Sequence, residues 1–255
     1  MKASETTLKG LLQGERQYLV PLYQRRYSWK RHHLQQLWDD ILSLEHADAS
    51  TTHFLGSLVL APSPANTPAG VQSWLVVDGQ QRLTTLSILL CAIRDHLRNG
   101  DPHAAARIDD LYLLNKYAVG HERYTLLPTQ ADRRSWISLV EHTPDAGGDD
   151  LVGQAYNFFR SVLATTDDTE PPLDLARVEQ VIVGRLSIVE IAAHADDNVH
   201  RIFESLNHTG QRLTQADLLR NYLFMRLTTR ADHVYEFQWL PLQNLLDDDQ
   251  LTQLV

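Results

Sequence analysis

The sequence is nearly without cysteine: Cys91 is the single one in 255 residues. No internal disulfide and no cysteine-based zinc centre can be built from it, and a reducing compartment is compatible with that count. Long apolar runs are also missing, since nothing approaches the roughly 20 residues that a membrane helix needs. The N-terminus, Met1 to Gln17, is too polar for a secretory leader. Positive charge is in deficit: 23 Lys and Arg face 32 Asp and Glu, for a formal net charge of −9. That balance argues against broad nonspecific binding to nucleic acid, which feeds on phosphate neutralisation. No GxxxxGK[ST] phosphate loop occurs, and no internal repeat is visible. These absences leave a soluble chain, read as cytoplasmic and without a membrane partner.

What is present is ordinary globular composition, 43% hydrophobic and 22% charged. The length fits one large domain or two small ones with a sizeable core. Leu34, Leu37, Trp38, Ile41 and Leu42 form an amphipathic helical stripe, with Ser28 at or near its N-cap. Residues 126–140, 173–183 and 216–227 also read as helices. Strands are expected over 17–23, 53–61, 74–78 and 185–193, and loops over 61–70, 142–150 and 165–172. Strands early and helices later predict an α+β fold, with a small sheet-bearing N-terminal lobe and a largely helical remainder. The division expected is a core over 1–100 and a mainly helical part over 101–255 that completes the same domain.

Three stretches carry candidate chemistry. In "WLVVDGQQRLTTLSILL", Trp74 to Leu90, a buried strand meets a buried helix at Asp78-Gly79. Gly79 permits a tight turn or a close backbone approach. A helix start leaves free N–H groups and partial positive charge, a ready anion site. Arg82, one turn in, can fork onto phosphate oxygens, and Gln80 and Gln81 can donate and accept. Asp78 can hold a divalent metal or orient a water; it can equally be an ordinary cap, with Gly79 only turning the chain.

The second stretch, Gln24 to His33, sets Arg25, Arg26, Lys30 and Arg31 together with no acid among them. Tyr23, Tyr27 and Trp29 interleave with them. Such rings can stack on bases or enclose a modified group, or simply pack in the core beside a solvated basic edge. The third stretch, Arg201 to Phe224, reads as a helix end at Asn207 and Gly210. A capping box over Thr214 to Asp217 follows, with Asp in place of the usual Glu.

Together "VPLYQRRYSW", "FLGSLVL", "VVDGQQRLTTL" and "FESLNHTGQRLTQADLLRNYL" resemble the N-terminal domain of GmrSD-type modification-dependent restriction proteins. That domain also occurs in the phosphorothioation-sensing Ssp defence proteins, and its fold is related to the ParB/sulfiredoxin nucleotide-binding fold. The resemblance runs from about Tyr18 to Phe224. It implies nucleotide binding and hydrolysis at Asp78, Gly79, Gln80, Gln81 and Arg82, with Thr84 as a helper. Asp78 and Arg82 would be catalytic, and Asp78 the ligand of a Mg²⁺ ion serving the NTP substrate. It implies contact with modified DNA, phosphorothioated DNA being one candidate, at Tyr23, Gln24, Arg25, Tyr27, Trp29 and Lys30. Asn207, with Gly210, Leu213 and Asp217, is placed near the nucleotide.

The expected function is therefore a modification-sensing NTPase domain of an antiviral restriction protein, gating a nuclease. The alternatives are a nucleotide- or DNA-binding regulator that does not hydrolyse, and a ParB-like nickase. Members of the family often carry an HNH-type nuclease domain after this one. No such His-Asn-His set follows here, so the nuclease is expected in a longer chain or a separate subunit.

Overall fold

The computed structural model describes the chain except residues 65, 67–69, 165–172, 195–196, 198–201, 203–213, 228–229, 247–249, 252 and 254–255. The expected loop over 165–172 and the stretch holding Asn207, Gly210 and Leu213 lie outside the described residues.

The fold is α+β. Six strands, β1 (Lys2–Thr7), β2 (Arg16–Leu19), β3 (His53–Pro62), β4 (Gln72–Asp78), β5 (Leu126–Leu127) and β6 (Leu186–Ala192), form one mixed sheet in the order β1-β6-β3-β4-β2-β5. The pairs β1/β6 and β3/β4 are antiparallel; β3/β6, β2/β4 and β2/β5 are parallel. The sheet is thus completed from beyond residue 100, with β6 seated between β1 and β3.

Strand alternation splits the core in two. Leu58 and Leu60 of β3 and Val76 of β4 face the larger cluster, while Val59, Ala61 and Val77 face the smaller. The larger cluster is built from α1 (Leu8–Leu12), α2 (Arg31–His46), α3 (Gln80–Leu97), α5 (Gln130–Val140), α6 (Leu151–Ala164) and α7 (Leu175–Gly184), with α4 (Pro102–Ile108) on its edge. The smaller packs Phe224 of α8 (Gln215–Arg226) with Tyr235 and Trp239 from the turns that follow. Edge-to-face aromatic contacts hold it, at 5.4 Å for Phe224–Tyr235 and 5.9 Å for Phe224–Trp239.

α3 is the central element. Its residues are buried on every side from Gln80 to Arg94 apart from Arg82, the pattern of a helix wrapped by others rather than one lying on a surface. Near its end a fully buried Arg94 is held by five acceptors. It donates to Asp95 (2.9 and 3.1 Å), Asp109 (2.8 Å) and the Leu139 and Val140 carbonyls (2.7 and 2.8 Å).

Several local expectations change. β2 ends at Leu19 instead of reaching Tyr23: Val20 N–H turns to Leu127, and Pro21 starts a turn closed by Gln24 N–H onto its carbonyl. Residues 126–127 form strand β5, and the helix expected there begins only at Gln130. Ser28 does not cap α2. Its N–H is held by Gln81 and its hydroxyl has no partner, which keeps the chain extended to Lys30. α2 then starts at Arg31, with Lys30 N–H donating to His33 Nδ1 at 3.1 Å.

Candidate functional site

The joint between β4 and α3 is set by one residue. Gly79 takes φ 89, ψ 5, the left-handed region, and α3 begins at the next residue. A Cβ on Gly79 would also lie 2.9 Å from the Ser57 carbonyl oxygen and 2.9 Å from Leu58 Cδ1. Conformation and close strand approach therefore both demand glycine here.

No side chain caps the helix start. The Asp78 carboxylate turns instead to Arg82, with Arg82 Nη2 at 3.4 Å from Asp78 Oδ2. The Asp78 side chain is 40% exposed and that of Arg82 28%. A second glycine makes room for the guanidinium. Gly56, at φ 120 beside the irregularity in the β3/β6 pairing, passes so close that a Cβ there would sit 1.6 Å from Arg82 Nη1. Arg82 Nη1 also donates to the Leu55 carbonyl at 3.1 Å. The cavity that Gly79 and Arg82 help to line, walled by Leu11, Leu55, Leu58 and Ile188, encloses about 10 Å³. That is room for no more than one water, so a larger ligand at this joint must lie on its open rim.

The two glutamines are engaged within the protein. Gln80 Nε2 donates to Gln24 Oε1 (3.2 Å) and the Arg25 carbonyl (3.0 Å), and Gln24 Nε2 in turn donates to the Val77 carbonyl (2.7 Å). Gln81 Nε2 donates to the Arg26 carbonyl (3.1 Å), and Ser28 N–H donates to Gln81 Oε1 (2.8 Å). The first turn of α3 thus grips the backbone of residues 25–28 as a strand neighbour would. Thr84 is buried in α3, and Thr85 beside it bonds the Tyr27 hydroxyl at 2.8 Å.

The gripped segment divides by exposure. Tyr23, Gln24 and Tyr27 are buried, Tyr23 in the smaller core cluster and Tyr27 in the larger. Their rings and amide are packed in protein and offer no open face to a base in this conformation. Burial pushes both phenols up, so they stay protonated. Arg25, Arg26 and Trp29 are half-buried and Lys30 is exposed. Trp29 stacks on His33, ring centres 5.7 Å apart.

Two further anchors escaped sequence reading. Asp132, on α5, accepts Tyr27 N–H (2.7 Å) and the Thr129 hydroxyl (2.6 Å). Burial pushes its carboxyl up to about 6 against those hydrogen bonds. Arg220, on α8, donates to the Tyr23 carbonyl (3.1 Å) and to Asp217 (2.6 Å). Asp217 completes the expected capping box with Thr214. Asn221, one position on, is buried with neither amide atom hydrogen-bonded. Arg220 gave the signal of a polar residue inside an apolar helical stretch, whereas Asp132, in the polar run Gln130 to Ser135, gave none.

One family model, the GmrSD restriction endonuclease N-terminal domain, matches residues 8–224. The chain belongs to this family. No curated protein matches it by sequence. In this GmrSD N-terminal domain the match starts at Leu8 of α1 and closes at Phe224 of α8, so it takes in all six strands apart from the first of them. The motif stretches around Asp78 and Tyr23 are brought together by direct hydrogen bonds. α8 is joined to them through Arg220. Among the described residues, no helix is long and apolar enough to cross a membrane.

Proposed function

We propose that this restriction-family domain binds a nucleoside triphosphate at the β4–α3 joint, hydrolyses it, and couples turnover to recognition of modified DNA in control of a nuclease. The observation that carries the reading is the opening of α3. An 18-residue helix starts on a left-handed glycine with no side-chain cap, leaving first-turn N–H groups for an anion. Phosphate oxygens suit those groups, and Arg82 adds a forked cation one turn in. On binding, Arg82 would exchange its long contact to Asp78 for phosphate. Asp78 would then be free to orient the attacking water.

Among the described residues no group of three or more His, Cys, Asp or Glu gathers around a metal. Mg²⁺ commonly takes one or two carboxylates with phosphates and water, so Asp78 fits such an ion only beside a bound nucleotide. When bound, the ion would neutralise developing phosphate charge.

The glutamine grip supports the coupling. Any shift of the α3 start is passed to the backbone of residues 25–28, and so to the surface side chains Arg25, Arg26, Trp29 and Lys30. These are the DNA-facing groups in this reading: arginines on phosphates, the indole against a modified group. A phosphorothioate, softer and less hydrated than phosphate, suits a partly apolar surface of that kind.

The experiment is phosphate release from four nucleoside triphosphates, with and without phosphorothioated or unmodified duplex, for the parent, Arg82→Ala and Asp78→Asn. Both variants should lose turnover; unchanged hydrolysis in either removes that residue from the mechanism. A second reading, a nucleotide switch without fast turnover, is favoured by the lone carboxylate already facing an arginine. Tight nucleotide binding with negligible phosphate release in the parent would select it.

A further inference from the structure

The far end of α3 carries a second built cavity. Asp95 lies thirteen residues along the helix from Arg82, which at about 1.5 Å each sets the cavity floor roughly 20 Å from the Arg82 end. It encloses about 570 Å³, within the range of pockets that hold small organic ligands. Its floor is Asp95, whose side chain is 5% exposed. That carboxylate has no capacity left for a cation. It accepts Arg94 through two nitrogens, the Tyr156 hydroxyl at 2.6 Å, and lies 3.1 Å from His142 Nδ1 and 3.5 Å from Arg98 Nε. Burial would raise its pKa, but Arg94 and the Tyr156 hydrogen bond outweigh that and hold it below the usual carboxylate range. Burial raises the Tyr156 phenol, which stays a donor.

The wall above this floor is cationic. Its two guanidiniums are Arg98 and Arg160, with His142 beside them, and Asp95 is the one carboxylate among the described residues that line it. The Arg160 guanidinium lies over the Tyr156 ring, 5.6 Å from its centre, which orients the fork. His142 takes φ 52, a left-handed conformation shared by no other non-glycine residue among those described. Such a backbone costs on the order of 1–3 kcal/mol and clusters at binding sites. Two of the carbonyls at the end of α3, which would repel an anion, are engaged: Arg94 O accepts Arg98 N–H, and Leu97 O accepts the Gly100 and Asp101 N–H groups. A chain of net charge −9 here gathers positive charge in a concave site with donors and a few apolar walls.

We propose that this cavity is a second ligand site, for a phosphate-bearing small molecule about the size of a mononucleotide, with Arg98 and Arg160 on the phosphate and His142 at the mouth. The reading is independent of the chemistry at Arg82.

Titrating the chain with inorganic pyrophosphate, with AMP and with a short DNA duplex by calorimetry tests it, using the parent, Arg98→Ala, Arg160→Ala and Arg82→Ala. Loss of a charge-assisted contact predicts about a tenfold or greater weakening in each of the first two variants. Arg82→Ala should leave one binding event intact, so failure of the Arg82 site and failure of this one are separable. Thermal melts confirm that Arg160→Ala, an exchange on the rim, remains folded. Unchanged affinity in both Arg98→Ala and Arg160→Ala, or no binding of either probe at millimolar concentration, overturns the proposal. So does a loss confined to a short DNA duplex, which would make the cavity a backbone contact for DNA.

Discussion

Replacing Gln81 with leucine keeps the volume and deletes two hydrogen bonds to the backbone of the 25–28 segment. Ser28 N–H loses its acceptor at 2.8 Å and the Arg26 carbonyl its donor at 3.1 Å. Each bond is worth about 1 kcal/mol net where water can replace the partner, and up to about 3 where it cannot. Gln81 is 9% exposed, but both bonds are only partly buried, so the pair should cost roughly 2–4 kcal/mol. For a chain of this size that lowers Tm by about 4–16 °C. Urea unfolding of Gln81→Leu beside the parent measures it directly, and limited proteolysis should cut first within residues 24–29. The same variant separates two roles for the residue. A side chain that touches phosphate would lower nucleotide affinity with stability untouched; a grip on the loop lowers stability first. A change below about 0.5 kcal/mol, the range of ordinary surface substitutions, would refute the grip.

Other outcomes follow from the same geometry. Asp132 has its carboxyl raised to about 6 by burial, above its unfolded value, so its contribution is fully present below about pH 4 and is lost as pH rises through 6. The stability difference between parent and Asp132→Asn, followed by urea unfolding from pH 4 to 7.5, should therefore shift by roughly 3 kcal/mol against the parent; a flat difference refutes the shift. Gly56→Ala places a Cβ on the Arg82 guanidinium at a positive φ, so it should displace Arg82, cost about 1–3 kcal/mol, and reproduce the turnover defect of Arg82→Ala in a phosphate-release assay. Arg94→Met strands Asp95 without its main counter-charge and should destabilise by about 3–5 kcal/mol, measured by thermal melt.

How far the sequence could be read depended on the kind of signal. Asp78-Gly79 was legible as a strand-to-helix turn because the apolar runs on both sides are long and only glycine tolerates the left-handed conformation there. β3, β4 and β6 were legible from their apolar runs. β1 was not, because its KASETT sequence is mostly exposed and lies at the sheet edge, where pairing needs no apolar alternation. α6 went unread although Val152, Ala155, Tyr156, Phe159 and Leu163 repeat at helical spacing.

The roles of Gln80 and Gln81 were hidden for a different reason: their partners are backbone groups, and for Gln80 also the Gln24 side chain, 53–56 positions earlier, and a glutamine carries no mark of what it will bond. Tyr23 and Tyr27 beside arginines read alike whether the rings enter a groove or the core, since loops have no periodicity to decide it. In this structure both rings are buried.

The place of β6 between β1 and β3 has a consequence for biosynthesis. Glu5 of β1 meets Ser187 of β6 across 182 positions of chain, so the sheet cannot close until most of the protein has left the ribosome. At typical elongation rates that delay is on the order of 10–40 s. Throughout it the inner edge of β3, with Leu58, Val59 and Leu60 on it, stays an unpaired template for any passing strand. A nascent or shortened chain ending near residue 100 should therefore be captured by chaperones or aggregate, whereas the same residues are quiet once β6 has docked.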